Sequence, residues 1–342
     1  MKNVTMRDIG AALGVSTVTI SKALSGKEGV SDAVREKIIE TARQMGYRYS
    51  APQADDTGRI IGILIADRFF SAPSFYFSMY RALLKELAEA GMLGVLEIIS
   101  DQDEQGLVMP TAVTIQRASG FVLVGQFSAD YVSAILETNL PAVLLDFTCD
   151  GPDVDAVTSD GQSGAYQLTR YLIEHGHRKI GFVGSVEGTT SIMDRYSGFL
   201  RAMMQFALPV REEWVIPDRD AEGHYDGHFP FPDELPTAFV CNNDMLACTV
   251  AEVLEKRGCR VPEDVSLVGF DDFVYGKHAR PLTTYAVDQQ RMAQVTVRRL
   301  RSRVREGMEG PLRTSVGGWF VERDSVMDLN TGKRLGRARE KA

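Results

Sequence analysis

Residues 4–24 constrain this chain most, because apolar side chains recur there at helical spacing on both sides of a single glycine turn. Thr5 is placed to cap a first helix carrying Met6, Ile9 and Leu13, and Asp8 adds negative charge to its first turn. Gly14 stops that helix and Val15 is an apolar turn residue. Ser16 then caps a second helix whose buried side is Ile20, Ala23 and Leu24, with Gly26 just past its last turn. Ser31 is predicted to cap a third helix bearing Val34, Ile38, Ala42 and Met45 on one face. Three helices around one small core, the first two joined by a tight turn, make a unit whose second helix fits the major groove of duplex DNA. Three-helix domains also serve other purposes, and spacing alone does not choose among them.

Charge supports the nucleic-acid reading. The formal charge is -8 over 342 residues, yet residues 1–50 hold eight Lys/Arg against five Asp/Glu, so this segment is +3 and the remainder -11. That asymmetry suits a nucleic-acid-binding head on a body that solvates itself. Cys149, Cys241, Cys248 and Cys259 lack the paired close spacing of a zinc site and read as free, structural thiols in a reducing cytosol. The N-terminus has no charged-then-apolar leader pattern, and no apolar run approaches the roughly twenty residues that span a bilayer, so a cytoplasmic protein is expected.

Past the head, turn formers gather and apolar periodicity lapses over residues 50–59, which marks a hinge or linker between a head at 1–49 and a core at 60–330. From Ile60 onward β-rich apolar runs alternate with amphipathic helices. Strands are predicted over 60–66, 94–99, 120–125, 142–147, 179–183, 238–241 and 265–270, and helices near 78–90, 163–174, 196–206 and 245–257. The alternation implies two doubly wound parallel sheets, hence an α/β two-lobed core with a ligand cleft at the carboxyl ends of its strands. Lobe 1 is expected over about 60–160 plus 290–316, lobe 2 over about 161–289 plus 317–330, and residues 331–342 read as a solvated basic tail.

These motifs together resemble the lactose-repressor and galactose-repressor (LacI/GalR) family of bacterial transcription regulators. The head carries Val-Thr-Met-Arg-Asp-Ile at 4–9, Gly-Val-Ser at 14–16, Thr-Ile-Ser-Lys at 19–22, Val30-Ser31, Arg35 and Gly46-Tyr47. The body adds Ser159-Asp160, Gly-His-Arg-Lys-Ile at 176–180, Arg195 with Gly198-Phe199, Asn243-Asp244, Val261-Pro262, Asp264-Val265-Ser266, Gly-Phe-Asp-Asp at 269–272, Pro-Leu-Thr-Thr at 281–284, and Arg323 before Ser325. The resemblance implies a helix-turn-helix head on a periplasmic-binding-protein-like core. It further implies a homodimer that reads a pseudo-palindromic operator, usually as a repressor, while each core binds a small effector, most often a mono- or oligosaccharide. No cofactor, metal or membrane partner is implied.

In this pattern Thr17, Val18 and Lys22 fall where the second helix meets base edges, whereas Thr5, Ser16, Thr19 and Ser21 suit phosphate contacts and helix caps. Lys22 replaces the Arg of many relatives and cannot form its bidentate fork on guanine. The hinge departs from the family, since the run Arg-Tyr-Ser-Ala-Pro-Gln-Ala-Asp-Asp at 48–56 has no apolar wedge and brings two carboxylates toward the phosphates. A smaller operator bend is expected from it. For the effector, the resemblance points to Arg195, Asn243 and Asp271, with Phe75 and Tyr76 stacking on a sugar or serving as a hydrophobic lid. Asp146 closes a first-lobe strand, Asp160 is hinge or ligand, Asp244 caps the helix before Met245, and Arg219 with Asp220 could line the pocket. Phe-Pro-Phe-Pro at 229–232 bars the helix that relatives place there, so effector identity does not carry over.

Two other classes fit less well. A periplasmic sugar-binding protein would need a leader in place of the head, and an enzyme would need a motif that is missing, namely a phosphate loop, a nucleophile elbow or a zinc-binding His pair. Asp101-x-Asp103-x-Gln105-Gly106 begins like a calcium loop but has Ala112 where a bidentate Glu is required. His175 and His177 are read as structural.

Overall fold

A computed structural model of the chain describes residues 6–24, 30–45, 59–70, 74–114, 117–220, 229–273, 279–306 and 310–336. The chain divides into two compact units, residues 1–57 and 58–342. The predicted hinge falls almost wholly outside the described residues, as does Thr5.

The first unit contains α1 (Met6–Leu13), α2 (Thr17–Leu24) and α3 (Asp32–Gln44). Gly14 takes a left-handed φ of 67°, which costs glycine nothing and lets α1 end there. Ser16 Oγ accepts the Thr19 amide at 3.1 Å, the predicted cap of α2. Ile9, Ile20, Ala23, Ile38 and Ala42 form the core, with Leu13, Val15, Val30 and Met45 against it. Val34, expected on that face, is exposed instead, because the buried stripe of α3 follows Ile38, Ala42 and Met45. Arg35 reaches across from α3 and donates to the carbonyls of Ala23 at 2.9 Å and Lys22 at 3.3 Å, closing the carboxyl end of α2.

The second unit runs β1 (Ile60–Ala66), α4 (Phe75–Glu89), β2 (Leu93–Ile99), α5 (Asp101–Gln105), α6 (Thr111–Thr114), β3 (Ala118–Val124), α7 (Ala129–Leu136), β4 (Ala142–Leu145) and β5 (Asp155–Ser159). It continues through α8 (Gly161–Glu174), β6 (Ile180–Val183), α9 (Thr190–Gln205), β7 (Val215–Ile216), β8 (Ala238–Cys241), α10 (Asp244–Lys256) and β9 (Ser266–Val268). The last elements are β10 (Thr284–Ala286), α11 (Gln289–Glu306), β11 (Arg313–Val316), β12 (Trp319–Val321), β13 (Met327–Asp328) and β14 (Lys333–Arg334).

Strands β11-β5-β4-β3-β1-β2 form one parallel sheet and β7-β6-β8-β9 a second. Their central strands are apolar almost throughout, as burial under helices on both faces demands. Among the described residues the chain passes between the sheets three times: at Asp160 after β5, between β10 and α11, and at Gly317-Gly318 between β11 and β12. β10 and β12 pair antiparallel, so two of these passages are hydrogen-bonded to each other. Helices α8 and α9 cross closely enough that a Cβ on Gly198 would strike the Gln162 carbonyl.

One detail differs from the sequence reading and two add to it. Lys333–Arg334 is a strand, not the start of a solvated tail, because Leu335 donates to the Val326 carbonyl at 2.9 Å and Arg334 pairs with Glu263. The segment opening like a calcium loop is α5, capped by Ser100 and carrying acidic residues in its first turn. Phe229 and Phe231 are buried and stack at 5.6 Å, filling the second lobe beside Phe239.

Asp155, at the start of β5, ties α11 to the first sheet. It accepts from Arg303 at 2.5 and 2.9 Å and from the Leu312 amide at 2.7 Å, and lies 3.0 Å from Arg299 Nε. Burial alone would raise this carboxyl, and those contacts outweigh it and hold it below its ordinary range. Its stabilising contribution is therefore complete at neutral pH and lost as pH falls through the folded-state value. Asp155→Ala removes the buried carboxylate that Arg299 and Arg303 share and is expected to cost about 3 kcal/mol. Thermal melts of both proteins should show a gap that is widest at neutral pH and narrows in acid.

Candidate functional site

In the head, α2 presents Ser16, Thr17 and Lys22 to solvent while Ile20 and Ala23 are buried. The side chains of Val18 and Ser21, both on α2, lie outside the described residues. Ser16 is committed to capping: besides the Thr19 amide, its Oγ lies 2.9 Å from the Thr19 hydroxyl. That pairing ties down the first turn of α2 and leaves Thr17 and Lys22 as the exposed predicted readers.

The second unit holds a cavity of about 370 Å³ at the carboxyl ends of strands from both sheets. Phe69, Ser74, Phe75, Tyr76 and Asp146 line it from the first lobe. Thr189, Ser191, Ile192, Arg195, Asp218, Arg219, Asn242, Asn243, Met245, Leu246, Thr249, Asp271 and Phe273 line it from the second. Of the nine predicted effector residues, Phe75, Tyr76, Asp146, Arg195, Arg219, Asn243 and Asp271 are brought together here.

Asp160 and Asp220 are not among the lining residues. Asp160 is spent as the cap of α8, its Oδ1 accepting the Ser163 amide at 3.0 Å, and Asp220 is exposed. The cap of α10 is Asn243, whose Oδ1 accepts the Leu246 amide at 2.8 Å, so Asp244 is not the cap that its sequence position implied. Asp244 is instead buried beneath the cleft, where it accepts the Phe273 amide at 2.9 Å, and burial raises its carboxyl well above the ordinary range.

Arg195 organises the floor of the cleft. Its Nη1 donates to the Asn242 carbonyl at 2.8 Å and to Asn242 Oδ1 at 3.1 Å, and its Nη2 donates to Asp271 at 3.0 Å. The guanidinium lies 4.1 Å from the centroid of Phe270. Its buried Nε–H has no acceptor among the described residues, which leaves a donor for a ligand oxygen. Asp271, at φ 100°, and Asp146, at φ 69°, both sit in the left-handed region, a strain that the surrounding strands hold in place.

Asp146 faces Arg195 from the other lobe, accepting from the Tyr76 hydroxyl at 3.0 Å. Burial, opposed by Arg195, pushes its carboxyl up to about 6. Asp271 is also raised by burial against the pull of Arg195, and burial raises Tyr76 well above its usual value. The aromatic wall is continuous: Tyr76 meets Phe69 at 5.5 Å and Phe75 at 5.3 Å, and Phe75 meets Phe273 of the other lobe at 6.4 Å.

Local sequence explains how the remaining wall is delivered. Asp218 accepts the Ser185 amide at 2.7 Å, and Ser185 Oγ accepts the amides of Asp218 and Arg219 at 3.1 Å. This staple fixes Arg219, whose guanidinium lies 6.0 Å from the Phe69 ring. Asp218, Asn242 and Phe69 were not singled out from sequence. Asn242 directly follows β8, and position at a strand's carboxyl end was the signal that could have found it, whereas Phe69 and Asp218 lie in the loops beyond β1 and β7.

The raised Asp146 carboxyl gives a sign-definite expectation. A folded-state value near 6 against 3.8 for the free group means that the folded chain holds this proton more tightly, so Asp146 opposes folding increasingly as pH rises from about 4 to 6. Asp146→Asn should therefore be more stable than the parent at pH 7.5, by up to about 3 kcal/mol. The two should melt together near pH 4, and a pH-independent difference would contradict this account.

Comparison with known proteins agrees in both units. Residues 5–50 match the bacterial regulatory proteins, lacI family, and residues 169–326 match the periplasmic binding protein-like domain. The HTH-type transcriptional repressor PurR of Glaesserella parasuis is 26% identical over 341 residues, covering 95% of this chain and 99% of that protein. The probable HTH-type transcriptional repressor ExuR of Bacillus subtilis is 27% identical over 343 residues, covering 96% and 100%. Among solved structures, the transcriptional regulator CelR–cellobiose complex superposes with a TM-score of 0.67 at 23% identity, over 94% of this chain and all of that one. The lac repressor dimer bound to operator and the anti-inducer ONPF gives 0.63 at 21% identity, over 95% and 99%. With a matching head, a matching core and repressors as full-length relatives, the chain joins a LacI-family DNA-binding domain to a periplasmic-binding-protein-like domain and is similar along its whole length to bacterial transcriptional repressors of that family.

Proposed function

We propose that this regulator is a repressor that binds a pseudo-palindromic operator as a homodimer, and that a small uncatalysed ligand in the cleft alters its grip on DNA. The observation that carries this reading is Arg195, buried on Phe270 and shared between Asn242 and Asp271 on the floor of an aromatic-walled cavity. Carboxylates accept from hydroxyls, guanidinium N–H groups donate to ring and hydroxyl oxygens, and aromatic faces cover the apolar side of a pyranose. A mono- or oligosaccharide satisfies all three. Cellobiose in the CelR complex and ribose in an Enterococcus faecium regulator, the latter with a TM-score of 0.66 at 22% identity, support a sugar as the class.

Dimerisation is supported by β2, an edge strand that exposes Leu93, Val95 and Ile98. Thr17, Val18 and Lys22 are assigned base contacts, and Thr5, Ser16, Thr19 and Ser21 positioning contacts, with Ser16 serving chiefly as a cap. No described helix is long and apolar enough to cross a membrane, and a cytoplasmic location fits a DNA-reading regulator. The cleft binds and releases its ligand unchanged.

Selection of bound fragments from sheared genomic duplex, at stated salt because phosphate contacts make affinity salt-dependent, tests this directly. The full chain is expected to enrich an inverted repeat, and members of a sugar panel to change its affinity by about 5- to 150-fold, the usual range of coupling between two sites. No enrichment over random sequence, with or without the panel, sinks the proposal. Lys22→Ala is expected to flatten discrimination at one base pair per half-site by about 1 kcal/mol or more while leaving non-specific binding nearly unchanged. Equal loss on every operator variant removes Lys22 from base readout.

A further inference from the structure

Thr190 opens α9, a second-lobe helix anchored by Phe199 against Phe182 of β6, yet both its polar groups reach the first lobe. Its amide donates to Gln126 Oε1 at 3.1 Å, and its hydroxyl donates to the same oxygen at 3.2 Å. That hydroxyl also accepts the Thr148 amide at 3.1 Å. Gln126 follows β3 and Thr148 follows β4, both in the six-stranded sheet.

The chemistry fixes the direction of each bond. A backbone N–H only donates, so the Gln126 side chain must turn its oxygen toward Thr190, and its Nε2 accordingly donates to the Phe127 carbonyl at 3.2 Å. The first N–H groups of a helix have no partner within the helix. In α9 the Thr189 hydroxyl takes the Ile192 amide, while the Thr190 amide is taken by a residue of the opposite lobe. The Thr190 amide is thus satisfied only with the lobes at this spacing.

Both ends of the contact run into the cavity wall. Thr189 and Ser191, flanking Thr190, line the cavity. On the other side the Gln126 carbonyl accepts from Arg68 at 2.8 Å, and Arg68, held by Asp101 and Glu104, anchors the turn that presents Phe69. We propose that Thr190, Gln126 and Thr148 form a polar latch between the lobes, with Thr190 a positioning residue that sets the width of the cleft. The latch regulates the same site and rests on the effector reading for its consequence. Its existence is measured without any effector, so the two ideas can fail separately.

Amide hydrogen exchange on the full-length chain, resolved to single residues, tests it in three variants. Thr190→Val removes the acceptor of the Thr148 amide, which should exchange about five-fold or more faster. Thr190→Ser keeps the hydroxyl and should restore the parent rate. Gln126→Leu should speed the Thr190 amide by a similar factor, with the slow amides of Val143 and Val240 serving as the check that both sheets remain folded. An unchanged Thr148 rate in Thr190→Val with those core amides still slow overturns the latch. Should Thr190→Val speed every amide alike, Gln126→Leu decides, and an unchanged Thr190 rate there overturns it as well.

Discussion

The guanidinium of Arg195 is a full positive charge taken out of water, and the cleft is arranged around compensating it. A buried charge is tolerated only when paired and hydrogen-bonded. Here the second lobe supplies most of that compensation through Asp271, the Asn242 carbonyl and amide oxygen, and the face of Phe270. The first lobe adds Asp146, which faces the same charge while held by the Tyr76 hydroxyl. One cation therefore organises acceptors from both lobes, and any ligand entering between them alters the field that each lobe experiences.

Much of this architecture was legible in the sequence because its strands are buried on both faces. Runs such as Ile-Ile-Gly-Ile-Leu-Ile-Ala at 60–66 have no other stable use in a chain alternating with amphipathic helices. β5 was missed for the converse reason: Asp155-Ala-Val-Thr-Ser is short, mixed and led by a carboxylate whose partners lie far along the chain on α11. The start of α9 was placed too late because Thr189 to Ser191 look like loop residues until Thr189 is seen to cap the helix. Conflicts of this kind arise where long-range partners override local preference.

The site was partly legible for the same reasons. Asp271 and Asp146 stand out as charges just past strand ends, and Arg195 as the charge the family resemblance points to. Asp160, Asn243 and Asp244 show the limit of that logic, since a carboxylate or amide before a helix serves equally as cap or ligand and only geometry separates the two. Phe69 and Asp218 were invisible because their roles depend on loops stapled by Arg68 and Ser185, contacts between residues more than thirty positions apart. In the head, by contrast, the start of α2 and the apolar stripe of each helix are set by neighbouring residues, and the reading failed chiefly at Val34, one turn before the buried stripe of α3 settles.

The three passages of chain between the sheets lie side by side, with the Asp160 amide bonded to the Val316 carbonyl and the Gly318 amide to the Tyr285 hydroxyl. A single tether would let the lobes twist, slide and separate, whereas three neighbouring tethers of fixed length resist every motion except rotation about the line joining them. Shortening one by a residue would not free the lobes but skew them, tilting that axis. The geometry of these few peptides, more than the composition of the cavity, therefore dictates the direction in which an opening core must swing.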